Sequence, residues 1–494
     1  MSAIGGAVKK IAGETAVYGM STIVARFVNF LFVSLYTYKL TTSDYGVLTE
    51  FMAYIAILQV ILTMGLETGC FRYANKEGYD PSMVFSSAFS AVTAISAVFM
   101  LLMAVFGRDM AEWMGYGGHY NCYLYIGAIL FSDSVTAVFF ARLRYQSKAW
   151  KFAIFKTVKI FTEAGANLLL FLLFPVYAAA VPDTVLLNFV SPVPDFTYPV
   201  FAIFLSCIVS FLLFVPDMLR LRLRADGKTL KSLLAYSLPL MVAGLPGVMN
   251  DFIDRLLFRW LNVDDTLWRS ELGIYQAAVK LSVIMSLFVQ MFRYAYEPFI
   301  FARAKDRDSK EVYAKIMEYF TAFCMLIFLG VVFYLDVIQL ILGGDFRQGV
   351  DIVPVMLLSY MLLGMLFNAS IWYKLADRPS FAIYITLAGL AVTTLVNVIF
   401  LPLYSYHAAA WGHFASYSAM LLICVLVGRK YYPVPYNWKR IFLIMVSGVL
   451  LCAAVSLVTG EMPVFWRYAV RTAAILLYAA VYVLLEKHCK SSRI

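Results

Sequence analysis

An all-α integral membrane protein of about fourteen transmembrane helices is the fold class this sequence predicts, and three observations predict it. The 494 residues are 62% hydrophobic and only 14% charged, with a mean hydropathy of +0.78, whereas a soluble globular chain carries about 25% charged residues. The apolar residues fall in continuous runs of about 20, the length that crosses a hydrocarbon core of about 30 Å as a helix. Lys and Arg gather in short segments between alternate runs. Because hydrocarbon leaves no partner for an unpaired backbone group, a spanning segment is a helix or part of a closed barrel, and runs this long favour helices.

In chain order the expected spans lie near 16–38, 46–69, 83–106, 120–141, 153–176, 197–217, 234–261, 273–299, 313–342, 351–373, 379–402, 407–428, 441–459 and 465–486. The first lacks the short core and small-residue cleavage site of a secretory signal, so it reads as a retained span behind an amphipathic stretch around Val8 to Ile11. Basic residues stay on the cytoplasmic side of short loops. One set of loops and tails holds 26 of the 40 Lys and Arg, among them Arg72, Lys148, Arg220, Arg224, Arg307, Arg378 and Lys439. The other set holds only Lys39, Arg108, Arg269, Arg347 and Arg467. Both termini are therefore expected in the cytoplasm, which requires an even number of spans.

The net charge of +10 sits beside apolar spans, where anionic lipid headgroups rather than nucleic acid are its expected partner. Seven scattered cysteines show no CxxC, and the four histidines form no HExxH, so no metal site is expected. No Gly-rich nucleotide loop of the Walker type occurs, and no cofactor is expected beyond a coupling proton or sodium ion. The longest loop on the Lys/Arg-poor side, Tyr177 to Asp195 with Pro182, Pro192 and Pro194, is too short for a soluble catalytic domain. That weighs against an enzyme such as an envelope glycosyltransferase or ligase.

The most polar stretch, 217–232, divides the chain into an N-terminal lobe, 1–225, and a second lobe, 226–428, each of six spans, with two further spans and a tail in 429–494. An internal repeat supports the division. Tyr45-Gly46-Val47-Leu48 opens the second span and Leu272-Gly273-Ile274-Tyr275 opens the eighth, 227 residues later. At that offset Arg26 maps within two residues of Arg255, and since both halves begin on the same side the repeat is parallel.

Charges inside a bilayer cost about 2.5–3.5 kcal/mol even on lenient insertion scales, so those within spans are the candidate functional residues. Arg26 lies about ten residues, or about 15 Å, into the first span. It reads as a cavity-facing anion contact or as half of a buried pair with Asp133 or Glu163. Arg255 has Asp251 four residues before it and Asp254 beside it, so local pairing and substrate contact are both open. Lys280 has no acidic neighbour at three or four residues. On the fifth span Lys156, Lys159 and Glu163 share one face, with Lys159 and Glu163 spaced to pair. Asp133, Glu163, Asp251 and Asp254 are the candidates for ion coupling. Glu50, Glu67, Arg259, Arg293, Lys315, Asp336 and Arg471 lie nearer helix ends, where interfacial water accounts for them.

Leu238-Pro239, Asp254-Arg255, Leu272-Gly273-Ile274-Tyr275 and Lys280 together resemble the signature of Wzx-type polysaccharide or O-antigen flippases. These belong to the multidrug/oligosaccharidyl-lipid/polysaccharide (MOP) exporter superfamily. The resemblance implies two six-helix lobes plus two appended helices, with spans 1, 2, 7 and 8 lining a cationic cavity. It implies a substrate class, a polyprenyl-diphosphate-linked oligosaccharide, and a place, the bacterial cytoplasmic membrane. Membrane lipids and other polysaccharide-assembly proteins are the partners it implies. Arg26, Arg255, Lys280 and Lys159 would then face the diphosphate. This chain departs from the pattern in having no Asp-Arg pair in its first span. The alternative within the superfamily is a multidrug and toxin antiporter, whose cavity is more acidic; a purely structural scaffold would have no need of midplane charge.

Overall fold

The computed structural model describes residues 19–491 except 20–22, 25, 182–183, 222, 262–266 and 304–305. It is helical almost throughout, with no strand among the described residues. Twelve helices there are long and apolar enough to cross a membrane, and the chain is a multi-pass membrane protein. The number rises to thirteen when Leu267–Leu281 and Val283–Phe301, bent by 50° where they meet, are counted as one span. The expected count of fourteen is not reached among these residues for two reasons. The run at 273–299 is one apolar stretch in sequence but two helices in space. The first span is helical over 26–39 (α1), and its earlier part lies largely outside the described residues, as does Val8 to Ile11.

The helices gather into two compact units, Met1–Gly273 and Ile274–Ile494. In the first unit α2 (Thr42–Thr63) starts on Thr41, whose hydroxyl accepts from the Asp44 amide at 3.1 Å. It stops at two successive left-handed residues, Met64 at φ 51° and Gly65 at φ 65°, and the span resumes as α3 (Leu66–Ala74). The break lets α3 lie against the seventh span: a Cβ on Gly69 would come within 2.1 Å of Ser237 Oγ. α4 (Pro81–Trp113) begins with Asp80 accepting from the Ser82 and Met83 amides and with proline in the first turn, the arrangement that satisfies a helix start. After α5 (Asn121–Tyr145), α6 (Ala149–Leu168) widens into one π-turn, Leu169–Leu173, before α7 (Phe174–Ala180). Pro175 stands next to that turn and has no N–H to donate, which is the ordinary cause of such a distortion.

Between α8 (Thr197–Leu221) and α9 (Gly227–Leu261), the polar connector is tied down. Ser86 Oγ donates to the Arg224 carbonyl at 2.7 Å, and the Asp226 amide donates to Ser87 Oγ at 3.2 Å. Asp226 in turn accepts from the Thr229 amide and hydroxyl at 2.8 and 2.6 Å and caps α9. α9 packs on α2, α3 and α4. α10 (Leu267–Leu281) carries the chain from the first unit into the second.

In the second unit α11 (Val283–Arg303), α12 (Ser309–Phe333), α13 (Leu335–Ile338), α14 (Val353–Ala369) and α15 (Ile371–Leu375) are followed by α16 (Phe381–Tyr404) and α17 (Tyr406–Tyr431). Tyr296 donates to Asn368 Oδ1 at 2.5 Å and joins α11 to α14. The two appended helices, α18 (Trp438–Thr459) and α19 (Val464–Ser491), dock on α12 through charges at both ends. At the Lys/Arg-rich end Glu486 accepts from Lys315 at 2.9 Å and Arg440 at 2.7 Å, while Lys315 also reaches Glu318 at 2.8 Å. At the other end Arg471 pairs with Asp336 at 3.1 Å. Lys315, Asp336 and Arg471 are thus ion-paired between elements rather than merely solvated, and these pairs tie down α19, which is itself scarcely buried.

Two predictions follow from these joints. Replacing Glu486 by Ala leaves Lys315 and Arg440 to share Glu318, at 2.8 and 3.5 Å, and breaking one side of a buried pair costs about 3–5 kcal/mol. With Lys315 one-third exposed, a loss of about 2 kcal/mol is expected, read as a lower thermal midpoint of the purified protein in detergent. The Thr229 hydroxyl and amide hold the Asp226 carboxyl below its usual range. A depressed carboxylate stabilises above its unfolded pKa, so the α9 cap is lost as pH falls through the lowered value. Amide exchange at 228–230 should accelerate in that acid window only, and not in Asp226→Asn.

Candidate functional site

The polar residues inside the first unit fall into separate groups, and each group has its own geometry. On α6 the residues Lys156, Lys159, Glu163 and Asn167 recur at helical spacing. Lys159 Nζ reaches across to Asp133 Oδ1 on α5 at 2.5 Å, with both side chains largely buried. One turn on, Asn167 donates to the Glu163 carbonyl at 2.9 Å and accepts from Tyr36 Oη, on α1, at 3.0 Å. Lys156 sits 4.5 Å from the centroid of the Phe140 ring. The spacing along α6 points to Glu163 as the local partner of Lys159; the structure adds Asp133, brought in by helix packing 26 residues away in sequence.

On α9, Asp254 is fully buried and Arg255 is 9% exposed, whereas Asp251 is exposed. Arg255 Nη1 donates to the Asp251 carbonyl oxygen, and its guanidinium lies over Phe252 at 4.8 Å. The expected contact of residues 251 and 255 along one face is present, made through the main chain. Lys280, half-buried near the end of α10, belongs to the second unit. Arg26 is exposed on α1, and it makes no ion pair among the described residues.

Glu50 and Arg259, expected at wet helix ends, instead form a buried cluster. Glu50, about two turns into α2, has no solvent exposure. It accepts from Arg259 twice, from Nε at 2.5 Å and from Nη2 at 2.9 Å, and from Tyr116 Oη at 2.6 Å. Arg259 Nη1 also donates to the Met114 carbonyl at 3.1 Å, and its guanidinium is sandwiched by rings, 5.1 Å from Tyr116 and 4.6 Å from Trp268. Arg269 lies over the same Tyr116 at 4.7 Å. The expectation of solvated helix ends fails here because the 114–120 turn folds over the ends of α2 and α9 and excludes water. The pair is 209 residues apart in sequence, so helix spacing carries no signal of it; a carboxylate within one turn of the repeat motif was the only hint.

The arrangement can hold charge in a low-dielectric interior and exchange partners, which is what binding and release of an ion or an anionic headgroup require. Comparison with known proteins supplies the context. The family model described as polysaccharide biosynthesis protein matches residues 11–302. A search of curated proteins finds no match. Among solved structures, the lipid II flippase MurJ in an inward closed conformation superposes with a TM-score of 0.71 at 12% identity, covering 94% of this chain and 98% of that one. An inward-facing multidrug resistance MATE family transporter of the MOP superfamily gives 0.56 at 13% identity, over 87% of this chain and 95% of that one. A MATE protein in the straight conformation gives 0.52 at 15% identity, over 88% and 96%. The fold is therefore the all-helical one shared by MurJ and the MATE transporters, as the resemblance to MOP exporters implies, and the chain belongs to the polysaccharide biosynthesis protein family.

Proposed function

We propose that this protein flips a polyprenyl-diphosphate-linked oligosaccharide across the bacterial cytoplasmic membrane during cell-surface polysaccharide synthesis. The observation that carries the reading is Arg26, an exposed guanidinium on a helix whose sequence is that of a membrane span. An arginine at that depth is sustained by water and a counter-ion rather than by hydrocarbon. A diphosphate suits it: its oxygens match the planar guanidinium fork, and charge-assisted hydrogen bonds strengthen as water is excluded. Arg255, Lys280 and Lys159 are the further cations proposed for the same headgroup. The lipid tail stays in the bilayer while the glycan crosses with the headgroup, and the protein alternates between openings to the two sides, with both termini in the cytoplasm. The product passes to other polysaccharide-assembly proteins.

The reset step is assigned to the carboxylates. A proton or sodium ion taken up at Asp133 competes with Lys159 for the same oxygen and frees the ammonium, with Glu163 one turn away as the alternative acceptor. Asp251 and Asp254, beside Arg255 on α9, are the further carboxylates proposed for that uptake. No covalent chemistry is involved.

The reading is tested in proteoliposomes with a labelled polyprenyl-diphosphate oligosaccharide. A charge-assisted hydrogen bond contributes about 1.5–3 kcal/mol, or about 10–100-fold. Arg26→Ala and Lys280→Ala are expected to lower translocation by that factor at limiting substrate while inserting normally, and Arg26→Lys to retain part of it. Exchange of organic cations for protons, with no lipid translocation, would replace the flippase by a drug antiporter.

A further inference from the structure

The two copies of the repeat motif meet each other. Gly46 and Gly273 are 227 residues apart, and so are Thr42 and Arg269. A Cβ on Gly46 would lie 1.8 Å from the Arg269 carbonyl oxygen, and one on Gly273 would lie 2.0 Å from the Thr42 carbonyl oxygen. Each glycine thus packs on the main chain four residues upstream of the other. The same contact is made twice about a local twofold axis, as in an isologous dimer interface. Only glycine lets two helices approach backbone to backbone in this way. Between them Thr42 Oγ1 and Ser270 Oγ share a hydrogen bond of 2.6 Å. One turn further along α2, Glu50 holds Arg259 beneath the Tyr116 ring. All of these groups lie at the Lys/Arg-poor end of the first unit.

We propose that this crossing is a seal across the Lys/Arg-poor end of the transport path, that it parts in every cycle, and that the Glu50–Arg259 pair sets how readily it opens. The proposal rests on the chain being a transporter, not on the identity of its cargo. At Gly46 and Gly273 themselves the contact is with main chain, so no side chains interlock there to oppose parting. The ion pair is suited to reversible closure for a related reason. Its attraction is largely offset by the loss of hydration of two buried ions, and that cost is recovered when water enters. An apolar pair of similar volume would hold the closed state more firmly, since opening would wet it. The two-pronged geometry of Arg259 on Glu50 also returns the helices to one register on closing.

The first arm of the test needs no knowledge of the cargo. Tyr54, one turn inward of Glu50 on α2 and half-buried, is changed to Cys and exposed from the Lys/Arg-poor side to a membrane-impermeant maleimide. Gly46→Val, which wedges the crossing, should raise the labelling rate at least tenfold. Glu50→Leu combined with Arg259→Met should lower it while raising the thermal midpoint, an opposition that a merely structural pair would not produce. Labelling of Gly46→Val at the native rate would overturn the seal. A second arm covers the case in which the valine variant does not fold. Thr42→Cys with Ser270→Cys, oxidised, should lose translocation at least tenfold and regain it with dithiothreitol, the single variants being indifferent to oxidant; six of the native cysteines are buried. A verified crosslink that leaves translocation untouched would also overturn the proposal. If labelling behaves as expected but the native chain moves no lipid-linked glycan, the seal stands and the flippase reading falls.

Discussion

Hydrocarbon offers no hydrogen bond, and every feature of this protein is a response to that. The backbone responds by coiling, so that each amide finds its partner inside its own segment. Where a helix breaks, other protein stands over the break. The left-handed pair Met64 and Gly65 lies against Ser237 of α9, with the position of a Gly65 Cβ only 2.8 Å from the Ser237 carbonyl. The bend at Ser282 is covered in the same way, its hydroxyl donating to the Val353 carbonyl at 3.3 Å.

Side chains follow the same rule, and the charges sort accordingly. Asp133 with Lys159, Glu50 with Arg259, and Glu486 with Lys315 and Arg440 are each joined across different helices. Such pairs contribute little net stability against an apolar core of equal volume, because both ions surrender their hydration. They do fix which helix lies beside which. Arg26 departs from the pattern, being exposed and without an ion-pair partner among the described residues. An unmatched cation is a poor structural element in a membrane, where its cost is met by water or a counter-ion.

Much of this was legible in the chain. Apolar run length set the positions of most spans, and local chemistry set several of their ends: Asp80 before Pro81 at α4, Asp226 three residues before Thr229 at α9. The end of α12 departs furthest, at Phe333 rather than 342, and α4 runs Pro81–Trp113 against an expected 83–106, because helix continues past the hydrocarbon where polar residues follow without a breaker. The repeat was legible too, as two short motifs at a constant offset. That its two glycines touch was not, since nothing in either motif names the other as its neighbour.

Composition and run length therefore determined a multi-pass helical bundle, and residue type determined which charges would have to be explained. Tertiary structure alone decided how. Lys159 has a carboxylate at helical spacing in Glu163, yet the oxygen at 2.5 Å belongs to Asp133 on another helix. Glu50 and Arg259 read separately as residues near wet helix ends, and packing turned them into one of the most deeply enclosed ion pairs in the first unit. The physical reason is the same in both cases. Helical periodicity reports which residues share a face over distances of a few turns, whereas the energy of a charge in a membrane depends on whatever that face is packed against, which the chain supplies from 26 residues away in one case and 209 in the other.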